Sequence, residues 1–170
     1  MNRNFRNQLL IILFFVFICF LESIHWIAPI DIIKPSLLLL TFIYWNLALP
    51  NKIGLGHAIT FGVFLDLLNG NLLGIYSFIF VLVSFLSQRY FYQFRVMKII
   101  QQSFGIFLMS LFVNFILIIN LLNLDYFQVP LQGFFTEAII NSFVNALFWA
   151  PFFYTCRFYR RKFLLIEAKD

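Results

Sequence analysis

The sequence predicts an all-α polytopic membrane protein, a compact bundle of six transmembrane helices, and three observations carry that prediction. The 170 residues are 62% hydrophobic and only 11% charged, with a mean hydropathy of +0.91. A soluble domain of this length could not hide so much apolar surface. Short polar breaks containing Pro, Gly, Asn and charged residues divide the chain into apolar runs, and with six spans nearly every cation falls on one side. A single membrane domain over 1–170 is expected, with no nucleic-acid function behind the net charge of +5.

The first predicted span covers about 9–28. The basic start, Arg3 and Arg6, followed by an apolar core could belong to a cleaved signal peptide, but no small-x-small site follows. Asp31 to Lys34 form a polar break, and Pro35 opens the second span, 35–49, at a position where proline is tolerated. Pro50-Asn51-Lys52 end it. The third and fourth spans, 54–68 and 72–88, flank the turn signal Asn69-Gly70-Asn71 and are expected to form a tight hairpin. Spans two to four fall below the usual ~20 residues, which calls for borrowed flanking residues or a locally thinner bilayer. A basic connector with Arg89, Arg95 and Lys98 leads to span five, 103–124. Span six, 134–156, has Pro151 in its last turns, where a bend or an end is expected. A basic tail, 157–170, follows.

Charge tests the count. With six spans, both termini share a side that receives eleven of the twelve Lys and Arg residues, leaving only Lys34 opposite. Cations stay cytoplasmic, so both termini are expected on the cytoplasmic side of the membrane. A five-span chain would expose one basic end. Glu22, Asp31, Asp66, Asp125 and Glu137 then gather at or near the outer ends.

Asp66 is the acid most embedded in apolar sequence, in the stretch GVFLDLLNGNLLG from Gly62 to Gly74. An intramembrane acid is a functional hypothesis by default. Three readings stay open: a proton or ion relay, a contact for a partner or ligand, or a structural acid that hydrogen-bonds its neighbours near a helix end. The expected partner-binding set is Asp66, Gly62, Gly70, Gly74, Glu22 and Glu137, grouped around an outer groove. Glu137, Asn141 and Asn145 recur every four residues and share a helix face that Trp149 continues; Ser110 and Asn114 share another. Asn114 and Asn145 are expected to hydrogen-bond across spans five and six, with Asn141 beside them. The alternative is that either stripe faces a separate membrane partner.

Other chemistry is poorly supported. His25 and His57 are predicted on opposite membrane sides, and neither a Gly-x-Ser-x-Gly elbow nor an HExxH helix occurs. Cys19 and Cys156 suggest neither a disulfide framework nor a metal site. No enzyme, metal or cofactor is expected. Phe, with 26 residues, reads as the default lipid-facing side chain. Arg157, Arg160, Arg161 and Lys162 read as a cytoplasmic anchor for anionic lipids, with a protein contact as the alternative.

Several short stretches follow one another in a telling order: Lys34-Pro35, Tyr44-Trp45, Ala48-Leu49-Pro50, the glycines at 54, 56 and 62, Asp66 to Gly70, Leu73-Gly74, Phe94-Arg95, Gln101-Gln102, then Asn145 and Trp149. The ordered set resembles the MreD family of rod-shape proteins, most strongly from Lys34 to Gly74. Lys34 stands where an arginine is commoner, and Pro151 falls one residue late. The resemblance implies a non-enzymatic scaffold working with the bitopic protein MreC and the actin-like MreB, and indirectly with a RodA-type glycosyltransferase and a penicillin-binding transpeptidase, in lateral wall synthesis. It also implies a six-helix fold similar to the substrate-binding subunits of energy-coupling-factor transporters, and hence an alternative role in binding a small molecule or lipid-linked precursor.

Overall fold

A computed structural model describes residues 3–24, 33–50, 53–69, 73–123 and 131–164. The helices are α1 (Arg3–Ser23), α2 (Leu37–Ala48), α3 (Leu55–Asn69), α4 (Ile75–Arg89), α5 (Phe91–Val96), α6 (Ile99–Asn123) and α7 (Leu131–Phe163). Three contain stretches long and apolar enough to cross a membrane: Phe5–Ser23, Ile99–Asn120 and Gly133–Phe163. The apolar helices α2, α3 and α4 are shorter.

Burial accounts for the shortness of α2. At 1.5 Å per residue it spans only about 18 Å, against a hydrocarbon core of roughly 30 Å. Every residue from Leu38 to Asn46 is buried. A helix that is hydrophobic on all sides belongs in a core, and α2 packs against α1, α4 and α7. Its length is therefore set by protein neighbours. Phe42 stacks on Phe80 of α4 at 4.7 Å, and Phe14 of α1 meets Trp45 edge-on at 5.9 Å. Phe15 stacks on Phe61 of α3 at 4.0 Å. Phenylalanine thus does more than face lipid: Phe15, Phe42 and Phe80 are core residues, while Phe17, Phe20 and Phe64 are exposed.

Helices α3 and α4 form a hairpin, and α6 and α7 a longer one. The hairpin backbones of α3 and α4 approach closely at Gly62, where a Cβ would lie 2.3 Å from Ser77 Cα and 2.5 Å from Ser77 N. Only a residue without a side chain allows that contact. Gly54 and Gly56 have open space around them, so they play no such part.

Three boundaries differ from expectation. α1 begins at Arg3 and ends at Ser23, while 25–32, including His25, lie outside the described residues. The basic connector contains α5 and the first turn of α6, which starts at Ile99. The last helix does not stop near 156; α7 continues through Pro151 to Phe163. Its 33 residues reach about 50 Å, longer than the bilayer core. Arg157, Arg160, Arg161 and Lys162 are therefore its final turns, not a loose tail, and cations there suit the helix dipole.

Candidate functional site: a polar cavity and a carboxylate-capped hairpin

At the end of the bundle carrying Glu22 and Lys34 lies a cavity of about 330 Å³. Its walls come from the end of α1, the start of α2, and α3, α4, α6 and α7. Glu22, Lys34, Ser36, Ser110, Asn114 and Asn141 supply polar groups, and Leu39, Leu65 and Phe80 apolar ones.

Helix ends explain why the charges sit there. The Glu22 carboxylate accepts from Leu38 N–H at 3.4 Å, in the first turn of α2, where unpaired N–H groups and the dipole favour an anion. Lys34 Nζ donates to the backbone carbonyls of Glu22 and Ile24, the latter at 2.8 Å. Those carbonyls end α1 and have no helical partner. Glu22 and Lys34 thus tie the end of α1 to the start of α2 and present an acid and an ammonium to one cavity.

The asparagine stripe closes the far wall. Asn145, fully buried, accepts from Ser36 N–H at 2.7 Å and donates to Ser110 Oγ at 2.6 Å and Asn141 Oδ1 at 3.0 Å. Asn141 donates to the Lys34 carbonyl at 3.0 Å. Asn114 donates to Ser142 Oγ at 3.2 Å and to Asn141 Oδ1 at 3.4 Å. The bond expected between Asn114 and Asn145 is therefore replaced by three, in two layers one turn apart: the antiparallel register sets Ser110 against Asn145 and Asn114 against Asn141 and Ser142. The link from this stripe to the start of α2 had no sequence signal, since nothing in periodicity reports contacts at a separation of 109 residues. Further along α7, Trp149 is fully buried and donates to Gln102 at 3.3 Å; Gln102 in turn holds the carbonyls of Phe94 and Met97.

Asp66 stands outside the cavity lining. It is fully buried, and its two oxygens accept from Gly74 N–H at 2.8 Å and Tyr76 N–H at 3.0 Å. It caps α4 from the preceding helix. Gly74 enters α4 with φ +109°, a left-handed conformation that glycine adopts freely. Of the three readings of Asp66, this geometry matches the structural one. Gly62 is buried between α3 and α4 rather than offered to a partner. Gly70 lies outside the described residues, as does Asp125.

Glu137 does not join Glu22 and Asp66. It is exposed and absent from the cavity wall. Each four-residue step turns a helix face by about 40°, so Glu137 is about 80° away from Asn145. The expected grouping of three acids is thus corrected to Glu22 alone with the asparagines. At the opposite end, Arg157 and Arg160 are half-buried, and Arg161 and Lys162 exposed. Lys162 Nζ lies 5.5 Å from the Phe158 ring centre and 5.7 Å from that of Phe163. Among the described residues no group of three His, Cys, Asp or Glu side chains could hold a metal ion.

A family model described as rod shape-determining protein MreD matches residues 3–159. The rod shape-determining protein MreD of Haemophilus influenzae is 31% identical over 153 residues, covering 89% of this chain and 91% of that protein. No solved structure matches the chain.

Proposed function

The chain belongs to the MreD family of rod shape-determining proteins, and from that premise we propose that it is a non-enzymatic scaffold of the bacterial elongation machinery. In this reading six helices cross the inner membrane, with α2, α3 and α4 counted among them and both termini cytoplasmic. The bundle shares the architecture of the substrate-binding subunits of energy-coupling-factor transporters. The juxtamembrane part of an MreC-type bitopic protein docks at the outer end, beside the α3–α4 hairpin and the mouth of the Glu22 cavity. The basic inner face approaches an MreB-type filament, and RodA-type and penicillin-binding enzymes join indirectly to build lateral peptidoglycan.

The observation that carries the reading is the polar cavity at the acid-bearing end. Glu22, Asn114 and Asn141 present polar groups there, and buried polar groups in a membrane mark functional contacts. Photo-cross-linking from Ser23, Leu67 and Leu73, which flank the cavity and hairpin, tests it. Cross-links to the bitopic partner at these positions, and none from Phe104 on α6, are expected. The reverse pattern would move the docking surface elsewhere.

The cavity volume supports a second reading, a binding subunit for a small molecule or lipid-linked precursor. About 330 Å³ falls at the lower edge of ligand-site volumes, roughly 300–1,000 Å³. A compound retained by the purified protein, and lost in Glu22→Gln, would favour it.

A further inference from the structure

The cavity wall carries two opposite charges, and each is held by backbone rather than by the other. Glu22 and Lys34 both line it and are half-buried, so its interior reaches both. Lys34 Nζ bonds to the carbonyls of Glu22 and Ile24, and the Glu22 carboxylate to Leu38 N–H. Those bonds leave capacity on each group. Two carbonyls use two of the ammonium's three N–H donors, and Leu38 N–H, at a long 3.4 Å, uses one of the carboxylate's roughly four acceptor sites.

A ligand with one sign of charge fits this wall poorly. A cation drawn to Glu22 meets Lys34, and an anion drawn to Lys34 meets Glu22, where a low dielectric makes like charges repel strongly. A net-neutral ligand with a charge of each sign meets neither penalty. The neighbouring groups suit it. Ser36, Asn114 and Asn141 are half-buried in the same wall. Asn141 Oδ1 accepts from Ser36 Oγ, Asn114 and Asn145, so these polar groups are oriented before any ligand arrives, which lowers the cost of binding. Leu39, Leu65 and Phe80 offer apolar surface to a short carbon linker. A volume of about 330 Å³, at the lower edge of ligand sites, admits a headgroup or an amino acid but not a whole lipid.

We propose that this cavity binds a small zwitterion: a primary ammonium, joined by a short carbon linker to a phosphate or carboxylate. The ammonium donates to Glu22 and the anionic oxygens accept from Lys34, both as charge-assisted hydrogen bonds. The inference rests on the binding-subunit reading given above and names its ligand class. Two sources carry this chemistry: the headgroup of phosphatidylethanolamine, entering from the bilayer, and a free solute of the amino acid or phosphoethanolamine kind.

The full chain, purified in detergent, would be equilibrated in turn with phosphatidylethanolamine, phosphoethanolamine, glycine, phosphatidylglycerol and hexylamine, and analysed by native mass spectrometry. A zwitterionic probe should be retained at least about tenfold better than the anionic phosphatidylglycerol or the cationic hexylamine. Retention of phosphatidylethanolamine alone assigns the lipid source; retention of phosphoethanolamine or glycine assigns the free solute. Glu22→Gln and Lys34→Gln should each lower zwitterion retention about ten- to a hundred-fold, as loss of a charge-assisted hydrogen bond would. They should also change the preference: Glu22→Gln gains phosphatidylglycerol and Lys34→Gln gains hexylamine, a switch that helix capping alone would not produce. Leu117→Trp, which fills the cavity from α6 without removing a polar group, should abolish retention, and Lys98→Gln, in the basic connector, should leave it unchanged. Gel filtration confirms that each variant remains folded. Equal retention of all probes would overturn the proposal, as would zwitterion retention that survives Leu117→Trp. A different compound that copurifies with the chain and is lost in Leu117→Trp, with no zwitterion retained, would overturn the ligand class and leave the binding-subunit reading standing. No retention of any compound would overturn both.

Discussion

Asp66 and Gly62 show how single residues build the α3–α4 hairpin. A carboxylate that caps the next helix satisfies two N–H groups that would otherwise be orphaned in an apolar setting. Asp66→Ala is expected to cost about 2–4 kcal/mol and Asp66→Asn less, because the amide keeps one acceptor oxygen. Reversible unfolding in mixed micelles measures the difference. A relay residue would behave otherwise: both variants would keep stability and lose activity. Gly62→Ala places a methyl group against the Ser77 backbone, which cannot swing aside as a side chain tip does. Overpacking of this kind costs about 1–3 kcal/mol, and the same unfolding measurement should place Gly62→Ala well below Gly54→Ala, where space is open. The acid and the turn glycines were visible in the sequence as an anomaly in an apolar run. That the acid turns to backbone rather than to a partner was not, because its two donors become available only once α4 folds back.

At the scale of elements, the α6–α7 hairpin is joined to α2 by the asparagine stripe. Interhelical polar bonds in membranes average only about 0.6 kcal/mol, so the pairing with Ser110 alone would be modest. Asn145 also satisfies Ser36 N–H at the start of α2, and its loss would orphan a backbone donor. Asn145→Ala should therefore destabilise by about 1–3 kcal/mol, more than Asn114→Ala, whose partners are hydroxyl, amide and carbonyl oxygens with other options. Thermal unfolding of the two variants tests that order. The four-residue spacing announced the stripe, and Ser110 with Asn114 announced its counterpart. Register decided which residues meet, and register depends on the loop and on side-chain packing, neither of which a spacing rule contains.

For the whole molecule, the distribution of cations makes a topological prediction. Cysteines placed at the first residues and beyond Lys162 should both be shielded from an impermeant thiol reagent in intact cells, after Cys19 and Cys156 are replaced; both native thiols are buried. A cysteine at Lys34 should be labelled from outside. Labelling of only one terminus would remove the six-span arrangement and the outward position of the Glu22 cavity together.

Composition and apolar runs by themselves determined a helical membrane chain, the approximate course of its helices and, through the ordered motifs, its family. Tertiary structure decided which face of each helix is inside, that α2 is the hub, that Asp66 serves the hairpin and that Glu137 stays apart. The reason lies in the solvent. Lipid and protein core are both apolar, so a membrane helix needs little contrast between its buried and exposed faces, and the periodicity that would betray orientation in water is largely absent.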